Sequence, residues 1–262
     1  MKTRYYWVKF FFYFGYIFLY TPIFLIIAYS LNASQTIVWQ GISWKWYKSL
    51  LQNELLLDGT ITSFKIALIS ASLAVVLGTV CAHLWTSPPH KKKVLGFLAT
   101  TPLVIPELVS GLSLLTFFVW METHLGWPQR GMLTIIVAHT TLGAAYVTAI
   151  VRARLSFIDP SLSEAALDLG ASPYKVFFLI KLPLVFPSLI ASWLIAFIIS
   201  FDDVVLASFT SGPGTTTLPL VIFSSIKVGY TPQINALATC ITVMVSLFIM
   251  AAGYIFYRKD PS

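Results

Sequence analysis

Three carboxylates stand out because they occur within long apolar stretches of the chain. Glu107 follows a segment that contains Pro102 and Pro106, and Asp202 and Asp203 follow an apolar run in the second half of the sequence. An aspartate at the centre of a membrane helix costs about 2.5–3.5 kcal/mol on insertion scales, so such groups usually line a path or pair internally. The two prolines free backbone carbonyls and distort a helix beside Glu107. Together these features predict a path for a cation.

Aromatic side chains in the same stretches support this prediction, since ring faces attract cations. Carboxylates combined with aromatic faces suit a multivalent amine as the substrate. Asp202 and Asp203 have an alternative role, which is to cap or pair with Ser200, Thr210 or a neighbouring subunit. The predicted path residues are Glu107, Asp202, Asp203, Phe201, Trp193, Tyr146 and Trp120.

The predicted helices place the three carboxylates at similar depths. At about 1.5 Å per residue, Asp202 lies roughly 24 Å from Phe186, and Glu107 lies roughly 20 Å from Val94. We therefore expect the carboxylates to share one layer. Because neighbouring residues of a helix point about 100° apart, Asp202 and Asp203 cannot face the same point. One of them is expected to line the path while the other is structural.

Long apolar runs must position these residues. Of the 262 residues, 57% are hydrophobic and 10% are charged, whereas soluble domains are about a quarter charged. A membrane-spanning helix needs about 20 apolar residues. The sequence has six such runs, at about 10–30, 61–86, 94–120, 131–151, 186–209 and 234–257. We predict an all-α, polytopic membrane protein with six transmembrane helices in a single domain, 1–262.

The distribution of lysine and arginine predicts the orientation of these helices. Basic residues concentrate in cytoplasmic loops, and with the N-terminus inside, twelve of the seventeen fall on that side. Both termini are therefore expected in the cytoplasm, and the net charge of +7 needs no nucleic-acid partner. The largest outer loop, residues 31–60, carries Trp39 and Trp44, which suit the lipid headgroup level or, alternatively, contact with an external solute receptor. The four histidines are scattered, so we expect no metal site.

A polar segment at about 152–185 is the only sizeable cytoplasmic feature of the sequence. Asp159 can cap a helix that starts at Pro160, and Gly170 can end it, because glycine adopts the left-handed conformation after a last turn. Leu162, Ala165, Ala166 and Leu169 fall on one face of that helix at helical spacing. This face is expected to be covered by a partner.

A second start signal follows directly. Ser172 and Pro173 predict a helix that runs from about Pro173 to Lys181, until Pro183 breaks its hydrogen bonds. The segment is therefore predicted to be a bent pair of short helices.

This segment resembles the EAA loop of ABC-importer permeases. Glu164 begins the motif, Gly170 follows six residues later, and an Ile-x-Leu-Pro sequence begins sixteen residues after Glu164. In that family the loop forms the coupling helix that sits in a groove of the cytoplasmic ATPase. The resemblance thus implies an ATPase partner, and the residues that it assigns to coupling are Glu164, Ala165, Ala166, Asp168, Gly170, Ile180, Leu182 and Pro183.

Other stretches resemble the permeases of spermidine/putrescine importers, over nearly the whole chain. These stretches are 200–205, 211–213, 218–220 and 227–239. The resemblance implies a type I ABC-importer (MetI-like) permease fold of six spans. It further implies a heterodimer with a second homologous permease, two ATPase subunits and an external polyamine-binding protein.

Three other functions are alternatives to polyamine import. An ABC permease can carry another small cationic or polar solute. An ion-coupled secondary transporter also uses membrane carboxylates, but it has no ATPase to grip through an EAA loop. An intramembrane protease would need a nucleophile and a base, for which Ser113 and His139 are the candidates.

We expect the chain itself to be no enzyme. It has no Gly-x-x-x-x-Gly-Lys-Ser/Thr loop for nucleotide phosphates. We therefore expect no cofactor in this chain, with ATP and Mg²⁺ bound by the partner ATPase.

Overall fold

A computed structural model describes residues 2–86, 91–229 and 232–259. Within these ranges the chain is helical apart from its connections, and one isolated bridge joins Asn32 to Ile42. The predicted all-α class is therefore confirmed. The helices are α1 (Lys2–Ser30), α2 (Lys45–Leu50), α3 (Glu54–Thr86), α4 (Lys91–Thr100), α5 (Glu107–Leu125), α6 (Met132–Ser156), α7 (Pro160–Asp168), α8 (Pro173–Val176), α9 (Leu182–Phe201), α10 (Val205–Thr210), α11 (Leu218–Val228) and α12 (Pro232–Lys259).

Six of these helical stretches account for the predicted spans. Among the described residues, five stretches are long and apolar enough to cross a membrane. They are Trp7–Ser30, Glu54–Thr86, Glu107–Leu125, Met132–Ser156 and Pro173–Phe201. The sixth is α12, whose apolar stretch covers Pro232–Leu247 among the described side chains. Five of the six predicted spans are thus confirmed with some shifted bounds, and α12 lies where the sixth is predicted.

The third predicted span, 94–120, is not one continuous helix. It divides into α4, a 3₁₀ turn at Thr101–Leu103, and α5, which starts after Pro106. Proline lacks an N–H and restricts the residue before it, so the Pro102 and Pro106 pair stops one helix and starts the next. The depth predicted for Glu107 from Val94 is therefore wrong, because Glu107 is the first residue of α5.

The fifth predicted span, 186–209, also has different bounds. Helix α9 ends at Phe201, and α10 is a separate short helix. Asp202 and Asp203 consequently lie in the break between α9 and α10 rather than inside a helix.

Pro183 does not break the second cytoplasmic helix, contrary to the sequence prediction. Residues Phe177–Lys181 form a π-helical turn, in which the Leu182 N–H donates to Phe177 O, five residues back. The wider turn tolerates the missing N–H of Pro183 and avoids a clash between the proline ring and a carbonyl of the preceding turn. The helix therefore runs on from Pro173 to Phe201 as one apolar stretch.

The chain forms two compact units, Met1–Leu57 with Ile222–Ser262 and Asp58–Val221. In the first unit, α12 packs against α1 and α2. There Asn53 Nδ2 donates to Gln233 Oε1 at 2.7 Å, and Gln233 Nε2 donates to Ser49 Oγ. The prediction of a single domain over 1–262 stays a prediction.

Small residues hold the second unit together. One face of α3 carries five small residues at helical spacing, and all five are buried. A Cβ added to Gly143 of α6 would lie 3.0 Å from Ala74 Cβ of α3 and 3.4 Å from Ala196 Cβ of α9. Close backbone approach of this kind is how membrane helices gain packing energy. The small residues on α3 are Ala67, Ala71, Ala74, Gly78 and Ala82.

Candidate functional site

Glu107 and Asp203 come together at the start of α5 and the α9–α10 break. Their side-chain carboxyl groups lie next to each other. Asp203 is buried, whereas Glu107 is exposed. The pair therefore joins the interior of the second unit to a surface at which a cation can arrive.

Asp203 is also fixed by its own local structure. Its Oδ1 atom accepts the N–H of Ala207 at 2.8 Å, which caps the first turn of α10. Asp203 therefore has the structural capping role that the sequence offers as an alternative. Asp202 differs, because it ends α9 and is exposed. The expectation that Asp202 and Asp203 face different ways agrees with the structure, although the break between helices separates them rather than helical rotation.

His139 extends the site inward, and sequence reasoning did not assign it a role there. Its Nε2 atom lies 3.2 Å from Asp203 Oδ1, and both side chains are buried. Its Nδ1 atom lies 2.7 Å from Ser200 Oγ, which in turn lies 2.9 Å from Ser70 Oγ. The sequence signal for this role is a lone histidine within an apolar helix, because ionisable residues in membrane segments usually pair with one another.

Two of the four predicted aromatic residues form a stack along α9. Trp193 stacks on Phe197 with ring centroids 5.4 Å apart, and Phe197 stacks on Phe201 at 5.9 Å. These residues are four apart, so helical geometry places them on one face. Phe197, which the sequence prediction omitted, links the other two and receives the edge of Phe64. The stack ends beside the residues of the α9–α10 break.

Trp120 and Tyr146 do not belong to this stack. Trp120 lies on α5 and stacks on His124, with ring centroids 4.9 Å apart. Tyr146 is exposed on α6. Their assignment to the path stays a prediction.

The predicted EAA segment begins with a well-capped helix. Asp159 accepts the Ser161 N–H at 2.9 Å, and α7 begins at Pro160 as predicted. At its other end, Gly170 has a φ of +81°, and the Ala171 N–H donates to Ala166 O at 3.0 Å. These two features form a Schellman-type end, in which glycine is preferred.

The side chains of α7 are largely exposed in the isolated chain. Glu164, Ala165, Asp168 and Gly170 are exposed, and Ala166 is half-buried. The apolar face predicted on α7 is also uncovered, since Leu162 is 48% exposed and Leu169, just past its end, is 89% exposed. Ile180, Leu182 and Pro183 lie some distance along the chain, at and just after the π turn.

The candidate protease pair does not exist as a pair. Ser113 donates its hydroxyl to Val109 O at 2.8 Å, within α5. His139 instead contacts Ser200 and Asp203. Each side chain has a local partner, so the arrangement of a nucleophile and its base is missing at these two residues.

Sequence comparison places the chain among transport proteins. Residues 74–262 match the family described as binding-protein-dependent transport system inner membrane component. The chain is 44% identical over 250 residues to the putrescine transport system permease protein PotI of Escherichia coli strain K12, over 94% of this chain and 89% of PotI. It is 36% identical over 247 residues to the spermidine/putrescine transport system permease protein PotC of Haemophilus influenzae, over 94% of each chain.

Solved structures with a similar fold include ABC transporters. A bacterial alginate ABC transporter, in complex with its alginate pentasaccharide-bound periplasmic protein, matches with a TM-score of 0.72 at 17% identity, over 99% of this chain and 96% of the other. The MetNI methionine ABC transporter matches with a TM-score of 0.62 at 19% identity, over 78% and 95%. These matches confirm the predicted ABC-importer permease fold, and the chain belongs to the family of binding-protein-dependent transport system inner membrane components.

Proposed function

We propose that this chain is the permease subunit of an ATP-driven ABC importer that moves polyamines, spermidine and/or putrescine, into the cytoplasm. The observation that carries the proposal is the 44% identity, across 94% of the chain, to a permease named for putrescine transport. The Glu107–Asp203 carboxyl pair supports it, because a polyamine presents ammonium groups and carboxylates bind them by charge-assisted hydrogen bonds. The aromatic stack on α9 adds ring faces beside that pair.

The energy for transport comes from separate ATPase subunits in this proposal. The exposed apolar residues of α7 and the exposed Glu164 and Asp168 form a surface on which an ATPase can dock. Two ATPase subunits bind ATP and Mg²⁺, and their closure moves α7 together with the adjoining helix from Pro173 onward. The packed spans then rotate and open the path to alternate sides.

The remaining subunits complete the path. A second, homologous permease forms a heterodimer with this chain, and an external binding protein delivers the polyamine. This arrangement requires α7 and both termini to face the cytoplasm, as the distribution of basic residues predicts. The exposed Glu107 then faces the path between the two permeases.

Reconstitution of the assembled complex tests the proposal. The chain is co-purified with its partner permease and ATPase, placed in liposomes, and supplied with the binding protein and labelled putrescine or spermidine. Uptake that requires ATP on the ATPase side is expected, and the ratio of the two rates identifies the preferred polyamine. ATP-dependent uptake of only a neutral or anionic solute would overturn the polyamine assignment. Polyamine uptake by this chain alone, driven by a proton gradient, would overturn the ABC assignment.

A further inference from the structure

A chain of hydroxyl groups fixes the position of the hydrogen on His139. Ser70 donates its only hydroxyl hydrogen to Ile66 O at 2.7 Å, since a carbonyl can only accept. Ser200 must then donate to Ser70 Oγ, 2.9 Å away. Ser200 has no second hydrogen, so its oxygen accepts from the Nδ1–H of His139 at 2.7 Å. The imidazole therefore carries a hydrogen on Nδ1.

The same reasoning requires a proton on the other side of the ring. With Nδ1 protonated, a neutral imidazole has only a lone pair on Nε2. That atom lies 3.2 Å from Asp203 Oδ1, a distance suited to ionic attraction although its direction is not that of a good hydrogen bond. Oδ1 already accepts the N–H of Ala207. A lone pair facing a carboxylate in a buried site is repulsive, so one proton belongs to the Nε2–Asp203 contact.

We propose that His139 is the positioning residue of the Asp203–Glu107 carboxyl pair. The attraction between the imidazole and Asp203 Oδ1 holds the Asp203 carboxyl beside Glu107 and leaves the exposed Glu107 carboxyl to take the substrate ammonium. His139 touches no substrate and acts through Asp203. The inference rests on the proposed function, because it assigns the carboxyl pair to a cationic substrate.

The surroundings of His139 limit which groups can take part. Among the described residues, the ionisable groups in contact with the imidazole are Asp203 directly and Glu107 through it. Helix α9 presents the Ser200 hydroxyl to it, and Ser70 of α3 contacts that hydroxyl. Replacement of His139 therefore acts on the carboxyl pair through the Nε2–Asp203 contact.

The test measures KM and kcat for ATP-dependent polyamine uptake by the reconstituted complex. His139→Leu removes both ring nitrogens, and KM is expected to rise about 10- to 100-fold while kcat changes little, since the loss of one interaction with a charged group usually has an effect of this size. His139→Gln places an amide N–H near Asp203, so KM is expected to recover most of that loss.

His124→Gln is the matched control, since His124 is exposed on α5 and its Nδ1 contacts only the backbone oxygen of Trp120 at 2.9 Å. This variant is expected to keep the wild-type KM and kcat. No recovery of KM in His139→Gln, or a loss in His139→Leu that falls on kcat rather than on KM, would overturn the positioning role. Absence of polyamine uptake by the wild-type complex would instead overturn the proposed function, so the two failures are distinct.

Discussion

Gly78 of α3 lies directly against Val147 of α6. A Cβ added to Gly78 would lie 2.6 Å from Val147 Cβ and 2.8 Å from Ala144 O. The Thr148 hydroxyl also reaches Gly78 O at 3.3 Å. The two helices therefore approach at a distance that only glycine permits at this position.

Gly78→Ala is expected to destabilise the protein. Alanine gains about 0.5–1 kcal/mol in a helix over glycine, whereas overpacking usually costs about 1–3 kcal/mol. The cost is expected to exceed the gain, because Ala144 O is a backbone atom that cannot rotate away. Thermal unfolding of the purified complex in detergent measures the change, and a fall in Tm is expected.

Gly15→Ala provides the control for this prediction. Gly15 lies within α1, and an added Cβ meets nothing within 4 Å. This variant is expected to keep or slightly raise Tm. Equal changes in Tm for the two variants would contradict the importance of the α3–α6 approach.

The coupling segment shows how far local sequence signals reach. The cap at Asp159, the start at Pro160 and the end at Gly170 depend on neighbouring residues only, and the structure has all three. The prediction that Pro183 breaks the helix is wrong, because the rule for proline considers only one regular helical turn. Within a long apolar helix the backbone groups that proline frees must be satisfied again, and the π turn does this through the Leu182–Phe177 bond.

The site was predictable only in part for a related reason. Single residues in apolar stretches revealed Glu107 and Asp203, but their contact depends on how α5 packs beside the α9–α10 break. The link from His139 to Ser200 joins residues 61 positions apart. No periodicity within one helix predicts such a pairing. The small-residue face of α3 is a pattern that a search for helical spacing of alanine and glycine would have found.

Gly170 is expected to matter for coupling rather than for insertion. Its φ of +81° disfavours any residue with a Cβ, while an added Cβ meets nothing within 4 Å. Gly170→Pro cannot adopt this φ, and it also removes the N–H that donates to Leu167 O at 2.9 Å. We expect polyamine uptake per ATP hydrolysed to fall severalfold while the complex still assembles.

Gly170→Asn separates strain from other effects, because asparagine tolerates the left-handed conformation better than most residues. Its ratio of uptake to hydrolysis is expected to stay near the wild-type value. The ratio is measured in proteoliposomes with labelled substrate and released phosphate. A normal ratio in Gly170→Pro would refute the role of this turn.

The cap of α7 is expected to weaken in acid. Hydrogen bonds from Ser161 hold the pKa of the exposed Asp159 carboxyl below its ordinary value of 3.8. A carboxyl whose pKa is lower in the folded state stabilises that state when ionised. The contribution of Asp159 is therefore complete above about pH 3.8 and is lost as the pH falls through the lower folded value.

Hydrogen exchange of the α7 amides in the complex measures this loss as a fall in protection factor. Asp159→Asn keeps an oxygen that can accept from Ser161 but does not titrate. Its protection is expected to be nearly constant over the same pH range. A matching acid loss in both proteins would assign the effect to another group.

A double-mutant cycle tests whether Glu107 and Asp203 act as one unit. Glu107→Gln and Asp203→Asn each remove a charge while keeping the size of the side chain, and each is expected to raise KM for the polyamine. Residues in contact usually show interaction energies of about 0.5–3 kcal/mol. The double variant is therefore expected to raise KM by clearly less than the product of the single effects.

Asp202→Asn supplies the comparison, because Asp202 is adjacent to Asp203 in the chain but exposed. Its effect on KM is expected to multiply with that of Glu107→Gln. Multiplicative effects in both cycles would mean that the Glu107–Asp203 contact has no part in substrate binding.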